Sequence, residues 1–204
     1  MAVVTISRQF GAGGWTLGER LAKRLGYRYV QEDMIKEVAA EAKVSTSQIK
    51  TFEKRGPSKL MKFLDKVVTP SYVDRLSSDK YGFVDENTYV DVVRKIILDI
   101  YEEGNVVIIG RGSQYVLQGY DAVWKLLLLG NLEYRINFVM NKFKLSRSEA
   151  ENAVKRKDQI RTRFLSFFKD ADSHNDPLYY DMVLNTTRIS MDQAEEMVVT
   201  LVSR

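Results

Sequence analysis

The chain has 204 residues, a formal net charge of +4, 45% hydrophobic residues and 28% charged ones, a balance that fits one globular domain over residues 1–204 with a sizeable core. It has no cysteine and one histidine, His174, which excludes disulfides, thiolate metal centres and histidine-rich metal sites. The basic residues cluster only near 155–163, too short a stripe for a polyanion binder, so the expected partner is a small phosphorylated substrate and not nucleic acid.

Ala2–Ser7 is a buried-strand pattern with no basic leader or cleavage signal ahead of it, and no apolar run approaches membrane-spanning length. These features predict a cytoplasmic protein with no membrane partner. Gly11, Ala12, Gly13 and Gly14 follow the strand, and Trp15–Leu25 reads as a helix closed by Gly26. Strand, glycine turn, helix is the order that a phosphate-binding loop requires. Glycines let the backbone turn tightly and bring N–H groups up to an anion, and the helix N-terminus adds partial positive charge. Against the pattern G-x-x-x-x-G-K-[ST], Gly13 is the second glycine, Arg8 stands at the first, Gly14 stands at the lysine, and Thr16 brings the hydroxyl one place late. The loop is present without its charged member.

Tyr27–Val30 is a short strand, and Asp33–Ala42 has helical spacing. Residues 43–85 are less regular, with a capping box at Ser45 and Gln48, a helix start at Ser58, and breaks at Pro70 and 77–80. They are expected to form a helical insertion that takes the acceptor. Glu86–Glu103 is a long amphipathic helix, and the apolar strand Val106–Ile109 runs into Gly110, Arg111 and Gly112. Ala122–Leu129 is a further buried strand and Asn131–Asn141 is helical. A capping box at Ser146 and Glu149 opens a helix expected to reach about Phe168, followed by a polar loop at Asp170–Pro177; residues 146–176 form the expected lid. Met182–Asn185 is the last strand, and Ser190 with Gln193 caps the closing helix. Apolar strands alternating with helices imply a parallel sheet covered on both faces, with ligands at the carboxyl ends of its strands.

Four separated motifs agree with one family. Ile6–Thr16 is similar to the loop of nucleoside monophosphate kinases, above all cytidylate kinase, whose loop runs I-D-G-P-S-G-A-G-K-G-T. Gly110-Arg111-Gly112 resembles that family's G-R-D, Lys155–Arg163 its arginine-rich lid helix, and Tyr180–Thr186 its closing strand D-x-V-I-D/N-T. The S-R-Q-x-G-x-G-G form of the loop resembles the cytidylate-kinase-like family, whose members share a lysine-less loop. The resemblance implies an α/β fold of the P-loop kinase type, three-layered, with a five-stranded parallel sheet in the order 2-3-1-4-5. It implies phosphoryl transfer from ATP, with magnesium, to a small acceptor such as CMP. The alternatives are a kinase of another small metabolite and a nucleotide-binding regulator without turnover. A homodimer stays open.

On this reading Gly11, Ala12, Gly13, Gly14, Trp15 and Thr16 hold the nucleotide, and the Thr16 hydroxyl holds the metal. The missing lysine calls for another cation, for which Arg8 and, ranked below it, Arg20 are the local candidates. Arg111, at the carboxyl end of an apolar strand, is placed to fork an acceptor phosphate or carboxylate. Glu32 and Asp33, just beyond the second strand, are further acceptor contacts or ordinary first-turn helix acids. Lys155, Arg156, Lys157, Arg161 and Arg163 put five cations with one anion, Asp158, into nine residues. Arg156, Arg161 and Arg163 are the expected lid contacts, with Asp158 pairing Arg161 at three residues' distance. Arg135 reads as a support for the lid, and His174 as a surface residue. Trp15 either stacks over a base or fills a hydrophobic gap.

Overall fold

Val3–Arg8 forms the first strand, β1, because five successive residues there are buried and nothing in the run breaks an extended chain. The structure, a computed structural model, describes residues 2–31, 86–169 and 174–203. Glu32, Asp33 and the insertion at 43–85 lie outside the described residues. The remaining strands are β2 (Arg28–Val30), β3 (Val106–Ile109), β4 (Val123–Leu129) and β5 (Met182–Asn185). They pair in parallel in the order β2-β3-β1-β4-β5, with Ile6 opposite Ile109 and Leu126.

The described helices are α1 (Gly14–Leu25), α2 (Glu86–Glu103), α3 (Ser113–Val116), α4 (Leu132–Phe143), α5 (Arg147–Leu165) and α6 (Met191–Val202). Side chains alternate across β1. Val3 joins Ile97, Ile100, Ile108 and Leu117 on one face, while Val4 and Ile6 join Leu17, Leu21, Leu128 and Val198 on the other. The sheet is thus the middle of three layers. A third cluster, Ile136, Val139, Ala150 and Val154, joins α4 to α5 and takes Phe10 against it.

Both predicted capping boxes in the described residues form, at Ser146 with Glu149 and at Ser190 with Gln193. Three differences from the expected elements have local causes. α5 stops at Leu165, not Phe168, because the Phe167 and Phe168 N–H groups turn to the Phe164 and Leu165 carbonyls at 3.3 and 2.9 Å, tightening the last turn. Phe164 and Phe168 then pack on the sheet. α3 had no periodic signal, being one turn opened by Gly112 in the left-handed conformation. His174 is buried at 2% exposure, correcting the surface assignment. Its Nδ1 lies 3.1 Å from the Tyr115 hydroxyl and its carbonyl accepts from the Tyr180 hydroxyl at 2.7 Å, so the polar loop folds inward onto two tyrosines.

Candidate active site at the carboxyl end of the sheet

β1 ends in a loop whose shape only glycine allows at two points. Gly11 and Gly13 both have φ +84°, and a Cβ on Gly11 would lie 2.7 Å from the Arg135 carbonyl oxygen. The Ala12 N–H closes the turn on the Gln9 carbonyl at 3.1 Å. Gly13 caps α1 with no side chain to offer, so the cap itself supplies no acceptor to the first turn. Among the described residues, no backbone carbonyl outside the helix accepts from the N–H of Gly11, Gly13, Gly14 or Thr16. These donors and the helix dipole are what an anion needs.

The loop is tied from behind. Arg135, 6% exposed, donates from Nε to the Gly130 carbonyl at 3.0 Å and from Nη1 to the Phe10 carbonyl at 3.1 Å. The same Nη1 pairs with Asp158 at 2.6 Å, and the other Asp158 oxygen accepts the Phe10 N–H at 3.0 Å. Asp158 therefore pairs with Arg135 and not with Arg161, a correction to the expected local pair. The guanidinium that reaches it comes from α4, already held at the loop by two carbonyls. Arg135 thus ties the loop to α5.

A cavity of about 230 Å³ opens over the loop, and its lining includes Arg8, the loop residues Gly11, Gly13, Gly14 and Thr16, the rings of Trp15, Phe138 and Phe143, and the charged Glu19 and Lys142. Trp15 meets Phe10 and Phe143 edge-on, at 6.1 and 6.4 Å between centroids. It is part packing and part cavity wall.

Of the three arginines expected in the lid, Arg161 turns inward. Its Nη2 donates to Ser7 Oγ at 3.1 Å and to the His174 carbonyl at 3.2 Å, and its Nη1 to Asn175 at 3.1 Å. Burial lowers its pKa from the usual arginine value; the Tyr180 phenol opposes this, and the nearby Arg8 charge adds to it. Arg8 and Arg161 are thus neighbouring cations at the end of β1. Arg156 and Arg163 sit on exposed sides of α5, five residues before and two after Arg161, on other faces of the helix. Arg20 is directed to α6, where it pairs with Asp192 and, at 2.6 Å, with Glu195. That takes it away from the loop.

At the neighbouring strand end, Gly110, Arg111 and Gly112 all adopt left-handed conformations, with φ +71°, +57° and +72°. A non-glycine residue held there inside such a turn is a feature that tertiary contacts must enforce. Arg111 is 7% exposed, and its guanidinium stacks 4.7 Å above the Phe164 ring. A Cβ on Gly112 would lie 2.8 Å from the Phe168 ring. Phe168 therefore faces the position where the resembling family carries its aspartate.

Ser7, Tyr115, His174 and Tyr180 were not singled out as site residues. Of these, only Ser7 carried a signal, as a hydroxyl at the end of an apolar strand. Among the described residues, no group of three or more His, Cys, Asp or Glu side chains gathers to hold a metal, and no helix is long and apolar enough to cross a membrane. A crystal grown in sulfate should show an anion on the Gly11–Thr16 N–H groups; density elsewhere only, with the loop empty, would refute the anion site.

A model of the cytidylate kinase-like family matches residues 3–188. No curated protein matches the sequence. Among solved structures, an uncharacterized protein from Eubacterium ventriosum is similar with a TM-score of 0.70 at 17% identity, over 100% of this chain and 99% of that one. A sugar kinase from Janibacter sp. has a TM-score of 0.52 at 15% identity, over 100% of this chain and 95% of that one. Shikimate kinase from Bacteroides thetaiotaomicron has 0.50 at 12% identity, over 100% and 99%. At these identities the likeness is one of fold.

Proposed function

The chain belongs to the cytidylate kinase-like family, and from that premise we propose that it transfers a phosphoryl group from ATP to a small metabolite in the cytoplasm. The observation that carries this reading is the convergence of the glycine loop, Arg8 and Arg161 on one end of β1. Loop N–H groups hold the donor phosphates. The two guanidiniums face the charge that spreads over the γ-phosphoryl oxygens as the acceptor oxygen attacks and ADP leaves, so the work is positioning and charge neutralisation. Magnesium, when bound, supplies further neutralisation between the phosphates. With no carboxylate cluster among the described residues, Thr16 and the triphosphate's own oxygens would hold it. Arg156 and Arg163 act at longer range, as part of the positive face that α5 presents.

Arg111 holds the acceptor. Its Phe164 stack fixes the guanidinium plane, which favours a forked contact with a phosphate or carboxylate. Phe168 against Gly112 favours a small metabolite over CMP, because Gly112 offers no carboxylate to read a pyrimidine and, among the described residues, a phenyl ring covers that position. Arg111→Ala should raise the acceptor KM by about tenfold or more while the ATP Kd stays within about twofold. Equal loss of both would remove the assignment.

The glycine in place of a lysine favours a second reading, a nucleotide binder without turnover. One experiment separates the two: ADP formation from Mg-ATP across a panel of nucleoside monophosphates, sugars and hydroxy acids, with ATP binding measured by calorimetry. Acceptor-dependent ADP supports the kinase. Tight binding with no ADP above the water rate for any acceptor supports the binder.

A further inference from the structure

Gly14 stands where a phosphate loop carries its lysine, and the space its side chain would need is already filled. A Cβ on Gly14 would lie 2.8 Å from Cγ, 3.1 Å from Cβ and 3.2 Å from Cδ of Arg8. The stem of Arg8 crosses the first turn of α1 at this point. Its head ends on the neighbouring strand, where a Cβ on Gly110 would overlap the Arg8 guanidinium. One side chain thus runs from the nucleotide loop to the Gly110–Gly112 turn, and a glycine clears its path at each end.

We propose that Gly14 is not a lost lysine but the clearance for Arg8, which delivers the loop's cation from the end of β1. The proposal rests on the phosphoryl-transfer reading above. It deepens that reading by assigning which of the two guanidiniums replaces the loop's lysine, between donor loop and acceptor turn. Gly14 begins α1 and is not among the glycines with positive φ, so backbone conformation does not demand glycine there. A helix position ordinarily prefers alanine. The Arg8 stem is the remaining reason for glycine.

The test is a double-mutant cycle in the full chain, read by melting temperature and by calorimetric binding of ATP and of inorganic tripolyphosphate. With Arg8 present, Gly14→Ala should lower the melting temperature. In the Arg8→Ala background the same change should raise it or leave it unchanged. Arg8→Ala and Gly14→Lys should each weaken tripolyphosphate binding by at least tenfold. Combined, they should bring it back to within about threefold of the wild type, because the lysine then has room and takes the place of the Arg8 charge. The proposal is overturned if Gly14→Ala has the same effect in both backgrounds, if Gly14→Lys alone tightens binding, or if the combined variant binds no better than the singles. A wild type that binds tripolyphosphate but transfers to no acceptor overturns the kinase reading, and recovery in the combined variant then still supports Arg8 as the loop's cation. A wild type that binds neither ATP nor tripolyphosphate overturns both.

Discussion

Arg135→Met should destabilise the fold by about 3 kcal/mol, which lowers the melting temperature by roughly 6–12 °C for a chain of this size. The arginine is almost fully buried and serves three acceptors: the Gly130 carbonyl, the Phe10 carbonyl and Asp158. Methionine keeps the stem's packing and removes every one of these bonds. Breaking a buried pair by deleting one partner costs about 3–5 kcal/mol. The Asp158 side chain is 30% exposed, and water there relieves part of the loss, which sets the value at the low end. Asp158→Asn should cost less than half as much, since an amide oxygen still accepts the Phe10 N–H. Phe10 precedes Gly11 directly, so loosening this tie should also weaken ATP binding. Urea unfolding decides the matter, and a cost below about 1 kcal/mol would mean that the latch is not holding the loop.

Arg161→Ala should lower kcat by about 100- to 1,000-fold, the range for removing one preorganised electrostatic donor. Three of the five guanidinium N–H groups are taken, by Ser7, the His174 carbonyl and Asn175. Among the described residues nothing accepts from the other two, which on the proposed reading meet the phosphoryl group. Lysine should not restore activity, because its point charge cannot keep the three anchors and reach the ligand from the same position. The ATP Kd should change by less than about tenfold, since on the proposed reading the loop N–H groups and Arg8 carry ground-state binding. If Arg161 only ties α5 to the sheet, the alanine variant will instead lose melting temperature with kcat largely kept. Ser7→Ala removes one anchor without touching the charge and should give a smaller fall in kcat, of about tenfold.

Much of this protein follows from neighbours in sequence. The order strand, glycines, helix located the glycine turn, because the turn is made by consecutive residues, and the proposed anion site is those same residues, Gly11 to Thr16. Both capping boxes formed as read, since each is a closed exchange of bonds over three residues, Ser146 with Glu149 and Ser190 with Gln193. Continuous apolar runs such as Val106–Ile109 marked strands buried on both faces, and the motifs' resemblance implied their order. The partners of the long side chains at the site were decided by tertiary structure. Asp158 had Arg161 three residues away and bonded Arg135 instead, because packing of α4 against α5 brings that guanidinium in already fixed by two carbonyls. His174 read as surface from its polar loop, and Tyr115 from α3, with Tyr180 at the end of the same loop, holds it inside. Gly14 read as a deletion, yet it borders the stem of Arg8, six residues earlier, along a path that ends at Gly110, about a hundred residues away in the chain. Periodicity tells which face a residue occupies. It does not tell which residue lies opposite, because that depends on how the strands and helices cross, and a flexible arginine takes its direction only from the gaps that the folded neighbours leave.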